Sequence, residues 1–132
     1  MVIRALRIFG WFTGLLLIAL GISRMAFSLD SIPDGQPVNA TVDSETRAAG
    51  ALLIGFGVGY LEAFRRNPVP AGAVRLLAAT MALLGLSRLM SMADVGMPHP
   101  VFTAACAVEF AAAALTYWYA SLADRRDSGI AA

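Results

Sequence analysis

The sequence predicts an all-α membrane protein: four transmembrane helices, arranged as two parallel-repeat hairpins, with both termini cytoplasmic. Three observations lead there. The 132 residues are 58% hydrophobic and only 14% charged, with a mean hydropathy of +0.69, whereas a soluble domain carries about a quarter charged residues. The apolar residues gather in four blocks, roughly 8–29, 48–64, 74–93 and 101–120. Each block is close to the ~20 residues that cross a hydrocarbon core, with some allowance for tilt. Finally, the phrase Leu20-Gly21-Ile22-Ser23-Arg24 returns as Leu84-Gly85-Leu86-Ser87-Arg88, an offset of 64 that also carries Asp30 onto Asp94 and Glu45 onto Glu109. Four spans use most of the chain, so it reads as one domain over 1–132, with repeat 1 about 1–66 and repeat 2 about 67–132.

The first block follows Arg4 and Arg7, an order that imitates a secretory signal. Cleavage is not expected: no small-x-small site follows the run, Arg24 interrupts it, and the repeat makes it the counterpart of block three. The outer turn Pro33-Asp34-Gly35-Gln36-Pro37 combines Asp and Gly, which suit tight turns, with prolines that stop one helix and start another. If the repeat is strict, helix 2 begins nearer Val38 than Ala48 and stands proud of the membrane. Its Ala51, Gly55, Gly59 and Ala63 form a small-xxx-small stripe, and helix 1 offers Gly10 and Gly14. Such residues let helices approach closely in lipid, within one bundle or at a homodimer seam. The segment Arg65-Arg66-Asn67-Pro68-Val69-Pro70 reads as the loop between hairpins, and Asp94-Val95-Gly96-Met97-Pro98 as the second outer turn.

Charge distribution orients the bundle. All ten basic residues are arginine; Arg4, Arg7, Arg65, Arg66, Arg75, Arg125 and Arg126 flank one side of the spans. The other side holds Asp30, Asp34, Asp43, Glu45 and Asp94, opposed by Arg47. The positive-inside rule then places both termini in the cytoplasm. Trp11, Tyr60, Tyr117, Trp118 and Tyr119 fall at the same helix ends, where an interfacial aromatic belt is expected.

The residues of interest are the charges inside the spans. Arg88 sits five residues before Ala93, roughly 8 Å below the outer end of helix 3. Met81, Gly85, Ser91 and Met92 share its face; Leu17, Gly21, Phe27 and Ser28 share that of Arg24. A glycine one turn before each arginine leaves room for a neighbouring helix or a ligand. An arginine in a span costs about 2–3 kcal/mol on insertion scales and less when it snorkels outward. Glu109 is the deepest acid, among Ala105, Cys106, Ala112, Ala113 and Thr116. Counting residues from the turn near Met97 brings Arg88 and Glu109 to similar depth, within about 5 Å along the axis. A Glu109–Arg88 ion pair follows most simply; a Glu109–Arg24 pair, giving a four-charge cluster with Glu45, is the alternative. Glu45 also has a plain structural role near a helix start, with Asp43 or Ser44 as cap. The candidate set is therefore Arg24, Arg88, Glu109, Glu45, Asp94 and Ser87, either a structural polar network or a ligand site open to the outer face. Buried arginine favours an anionic or carbonyl-bearing group such as a lipid headgroup, a carboxylate or a quinone.

Other chemistry finds little support. Met90, Met92, Met97 and His99 resemble soft-metal ligands, but methionine is also the usual filler of irregular apolar gaps. Cys106, the single cysteine, reads as a small packing residue. No phosphate loop, nucleophile–base set, zinc spacing or intramembrane histidine pair exists, so no enzyme, cofactor or metal is expected. The lack of a basic stripe with aromatics argues against nucleic acid.

Gly85-Leu86-Ser87-Arg88-Leu89, then Ser91, Asp94, Gly96 and Pro98, together with Glu45, Arg47 and Gly50, resemble the two short motifs of a bacterial family known as domain of unknown function 4345, similar in type to DoxX-like small membrane proteins. Val95 separates the Asp and Gly that are adjacent in the family pattern. The resemblance covers nearly the whole chain. It implies a four-helix inner-membrane protein and supplies no activity; DoxX-like relatives that partner quinone-linked redox proteins add a weak association. The function expected is a binding or carrier module for a membrane lipid or amphiphile. The alternatives are an accessory subunit of a membrane complex, as a homo-oligomer or with a membrane-protein partner, and an ion- or proton-coupled transporter using Glu109.

Overall fold

Apolar runs of this length have one way to satisfy their backbone in lipid without an open sheet edge, which is to form helices. The computed structural model describes residues 1–35 and 40–130. It contains α1 (Val2–Phe27), a single 3-10 turn (Ser28–Ser31), α2 (Ala40–Arg65), α3 (Ala71–Val95) and α4 (Pro100–Ile130). All four helices are long and apolar enough to cross a membrane. Even in α1, the best covered, only 33% of its apolar 18-residue stretch is buried inside the molecule. The exposed remainder, including Leu15, Leu52, Leu76, Leu83 and Val108, is a surface that water would not tolerate and lipid covers. The chain is a multi-pass membrane protein.

Consecutive helices run antiparallel, and the helices within each hairpin pack far more extensively than the hairpins pack on each other. The two outer turns therefore share one end of the bundle, the turn end. The N-terminus, the connection between hairpins and the end of α4 share the other, the termini end. The start of α2 at Ala40 agrees with the repeat rather than with hydropathy. In the first turn the Gly35 N–H donates to the Ile32 carbonyl at 3.1 Å, with Asp34 at φ 62°, as a type II turn with Pro33 at its first corner requires. Gln36, Pro37 and Val38 lie outside the described residues. In the second turn Gly96, at φ 104°, closes α3 by donating to the Met92 carbonyl at 3.2 Å, and Pro100 opens α4 at a position where its missing N–H is harmless.

The seam between α1 and α2 is built on glycines, but not along the expected stripe. A methyl group added at Gly14 would stand 2.9 Å from the Gly57 carbonyl oxygen, and one at Gly50 would stand 2.8 Å from the Gly21 carbonyl oxygen. Backbone meets backbone at both places. Gly55, at the centre of the expected stripe, faces open space, and Ala51 is exposed. The close face of α2 thus runs through Gly50, Ile54, Gly57 and Leu61, one to two positions off the predicted row.

The core lies in the termini half. Tyr60, Phe64, Tyr119, Val74 and Thr116 are fully buried there. Tyr60 stacks on Phe64 at 5.6 Å, and Phe64 on Tyr119 at 4.6 Å, so α2 and α4 reach each other diagonally through their aromatic side chains. The Tyr60 and Thr116 hydroxyls satisfy one another at 3.0 Å. This corrects the expected belt. Trp11, Tyr117 and Trp118 are exposed, whereas Tyr60 and Tyr119 turn inward. The Tyr119 hydroxyl accepts from Arg7 Nε at 3.2 Å, and Arg7 also donates to the Arg66 carbonyl at 3.3 Å. At the surface of this end Glu62 pairs with Arg65 and Arg66, and Arg75 with Asp124.

A charged cavity between the hairpins

Towards the turn end the aromatic packing stops and a cavity of about 290 Å³ opens between the hairpins. Most of its wall is aliphatic, from Leu16, Leu17 and Leu20 of α1, Leu84 of α3, and Ala105 and Val108 of α4. Its charged lining is Arg24, Arg88 and Glu109. The one remaining polar side chain, Thr13, is already occupied, donating to the Phe9 carbonyl at 2.9 Å.

The glycines preceding the arginines set this geometry. Gly21 lets the Gly50 backbone approach, and Gly50 in turn leaves room for the base of the Arg24 side chain, whose Cβ would be 3.1 Å from an added methyl. Gly85 accommodates the ring of Phe110 at 2.8 Å from the corresponding methyl position, and its carbonyl accepts from the buried Cys106 thiol at 3.4 Å. Cys106 is thus a packing residue. With α4 held at this register, Arg88 Nε lies 2.9 Å from both oxygens of Glu109. The side chains retain 26% and 13% exposure, so the pair is partly screened rather than fully dry. The guanidinium centre also sits 5.6 Å from the Phe102 ring centroid, a favourable cation–π distance.

Of the six residues singled out in the sequence, the structure brings three together. Arg88 and Glu109 form an ion pair, and Arg24 lines the same cavity within electrostatic reach of both. Glu45 does not join them and is exposed on α2, so the four-charge cluster does not form. Because α2 begins at Ala40, Asp43 is not a cap. It sits in the first turn and pairs with Arg47 at 2.9 Å, while Arg47 also donates to the Met25 carbonyl. Asp94 is exposed in the last turn of α3. Ser87 is exposed and donates to the Leu84 carbonyl at 2.8 Å. It borders a second, shallower cavity of about 300 Å³ with Ser91, Met92, Pro98 and Phe102, and Arg88 lines this one too. Phe102 and Phe110, which shape the surroundings of Arg88, were not visible in the sequence as site residues. Their signal is positional only: Phe110 directly follows Glu109 and Phe102 lies two turns before it on α4.

Comparison with curated proteins and with solved structures finds no match. Residues 5–120 match the family model described as Domain of unknown function (DUF4345). That match reaches into all four helices, takes in every residue of the charged cavity, and the chain belongs to this family.

Proposed function

We propose that the chain is a non-enzymatic binding or carrier module of the inner, cytoplasmic membrane, holding a lipid or other amphiphile between its hairpins. The observation that carries this reading is the cavity itself: a mostly aliphatic wall with three charges and, among the described residues, no other idle polar side chain. At about 290 Å³ it lies at the lower edge of the ~300–1,000 Å³ usual for small-molecule sites. Charge inside a span is retained where it is paired or used, and Arg88–Glu109 accounts for only one of the two arginines. The arginines at the termini end support an N-in, C-in orientation, which sets the charged end of the cavity in the outer half of the bilayer with membrane lipid as its occupant.

Native mass spectrometry of the chain extracted in mild detergent tests the reading. The wild type is expected to retain one bound amphiphile. Ala105→Phe, which fills the cavity and leaves the charges in place, is expected to lose it, and Arg88→Ala to weaken it. A wild type that carries no more adduct than Ala105→Phe overturns the proposal.

A second reading, an accessory subunit of a membrane complex, is favoured by the open face of α2 around Ala51, Leu52 and Gly55. Gly55→Leu should then reduce the native assembly size while the chain stays folded; an unchanged size excludes it.

A further inference from the structure

We infer that the occupant of the inter-hairpin cavity is a single-chain amphiphile with one negative charge, and that Arg24 is the residue that holds its head. The inference rests on the cavity-binding reading above and adds the ligand's charge and its number of chains.

Charge comes first. Two arginines and one glutamate line the cavity, leaving one positive charge. Arg88 has its counter-ion, because its Nε contacts both Glu109 oxygens at 2.9 Å. Arg24 has none of its own: no ion pair or side-chain hydrogen bond joins it among the described residues, and Glu109, within its electrostatic reach, is already engaged by Arg88. The acids closest to it in the two helices of its hairpin are turned elsewhere. Asp30 and Glu45 are exposed, and Asp43 is taken by Arg47. A guanidinium half-buried in a membrane segment keeps five donors and a charge that lipid does not solvate. An anionic head group supplies what the chain does not, and the planar fork favours a carboxylate or a phosphate oxygen pair. One unmatched charge calls for a monoanion.

The body of the cavity fixes the rest of the ligand. The lining runs from Phe9 to Arg24 on α1 but only from Met81 to Arg88 on α3 and from Ala104 to Ala112 on α4, a rise of about 10–12 Å along the second hairpin. The volume is about 290 Å³, roughly twice that of a ~150 Å³ apolar cavity that holds one benzene ring. A space of this size takes one alkyl chain and not two. With Thr13 internally satisfied, the wall offers nothing to a sugar or a base.

The test is equilibrium binding to the chain reconstituted in nanodiscs of zwitterionic phosphatidylcholine, at about pH 8, where a carboxylic acid is mostly ionised. The probes are palmitate, hexadecyl methyl phosphate (a phosphodiester, which stays a monoanion), hexadecanol and two-chain phosphatidylglycerol. Palmitate or the alkyl phosphate, whichever head the site takes, is expected to bind one per chain and about tenfold tighter than hexadecanol, the worth of a hydrogen bond to a charged group. The better of the two names the head chemistry. Arg24→Gln should erase that preference and leave hexadecanol binding in place, and Arg24→Lys should keep most of it. Equal affinity for the anions and hexadecanol, an unchanged preference in Arg24→Gln, or tighter binding of phosphatidylglycerol overturns the inference. Such results leave the cavity reading standing if Ala105→Phe still abolishes binding. If Ala105→Phe changes nothing, the cavity reading itself falls.

Discussion

At the scale of the residue, the two arginines differ in what they rest on. Arg88 is compensated, so removing it strands Glu109 at 13% exposure. Arg88→Leu is expected to destabilise the chain by about 1–3 kcal/mol, less than for a dry pair because the site is partly open. Arg88→Leu combined with Glu109→Leu should recover most of that loss. Arg24→Leu removes an uncompensated charge and should leave stability unchanged or raise it. Denaturant unfolding in detergent checks all three; a double variant no better than Arg88→Leu alone shows that the pair is not what is being measured. This difference was only half legible in the sequence. Counting helix residues from the turn at Met97 placed Arg88 beside Glu109, because a short turn fixes the register of α3 and α4. The same count did not place Glu45, because the longer first turn allows α2 to rotate, and its rotation sends Glu45 outward.

At the scale of the element, α1 and α2 form a hairpin whose stability depends on glycines that cannot be enlarged. In Gly14 and Gly50 the nearby atoms are carbonyl oxygens of the facing backbone, which cannot move aside as a side-chain tip does. Gly14→Val or Gly50→Val should force the helices apart and cost about 1–3 kcal/mol. Gly55→Ala, which meets nothing, should be neutral or slightly stabilising through helix propensity. Thermal unfolding of the purified variants distinguishes the two faces; equal losses at Gly50 and Gly55 contradict the seam. Helix 2 carries two glycine rows, Gly50/Gly57 and Gly55/Gly59, and small size alone does not say which faces α1. The choice is made by bulk: Phe64 closes over Gly10 and Tyr60 enters the core, rotating α2 until Gly50 and Gly57 meet α1.

At the scale of the whole molecule, the bundle is packed at one end and hollow towards the other. The Tyr60–Thr116 bond belongs to the packed end. Thr116→Val should lower stability by about 1–2 kcal/mol by leaving the Tyr60 hydroxyl unsatisfied, and adding Tyr60→Phe should return most of it; double-variant unfolding measures this. Orientation has its own test. In a Cys106→Ala background, Asp94→Cys should react with an impermeant maleimide in intact cells and Asn67→Cys only after lysis, and the reverse pattern would invert the orientation proposed here. Four spans and their paired repeats were readable in hydropathy and in the doubled Leu-Gly-x-Ser-Arg phrase, since both are properties of local sequence. The hollow was not, because it exists only where two hairpins fail to fill the space between them.

The side-chain hydrogen bonds between hairpins carry a mechanical consequence. Arg7–Tyr119 and Tyr60–Thr116 both lie in the termini half, while towards the turns the cavity separates the hairpins. The hairpins are thus arranged like the arms of tongs, pivoting at the riveted end, and the tips can part without breaking a helix or either of those bonds. Spin labels at Asp34 and Asp94 should report a broader distance distribution than labels at Arg4 and Arg125, and an occupant that contacts both hairpins should narrow it.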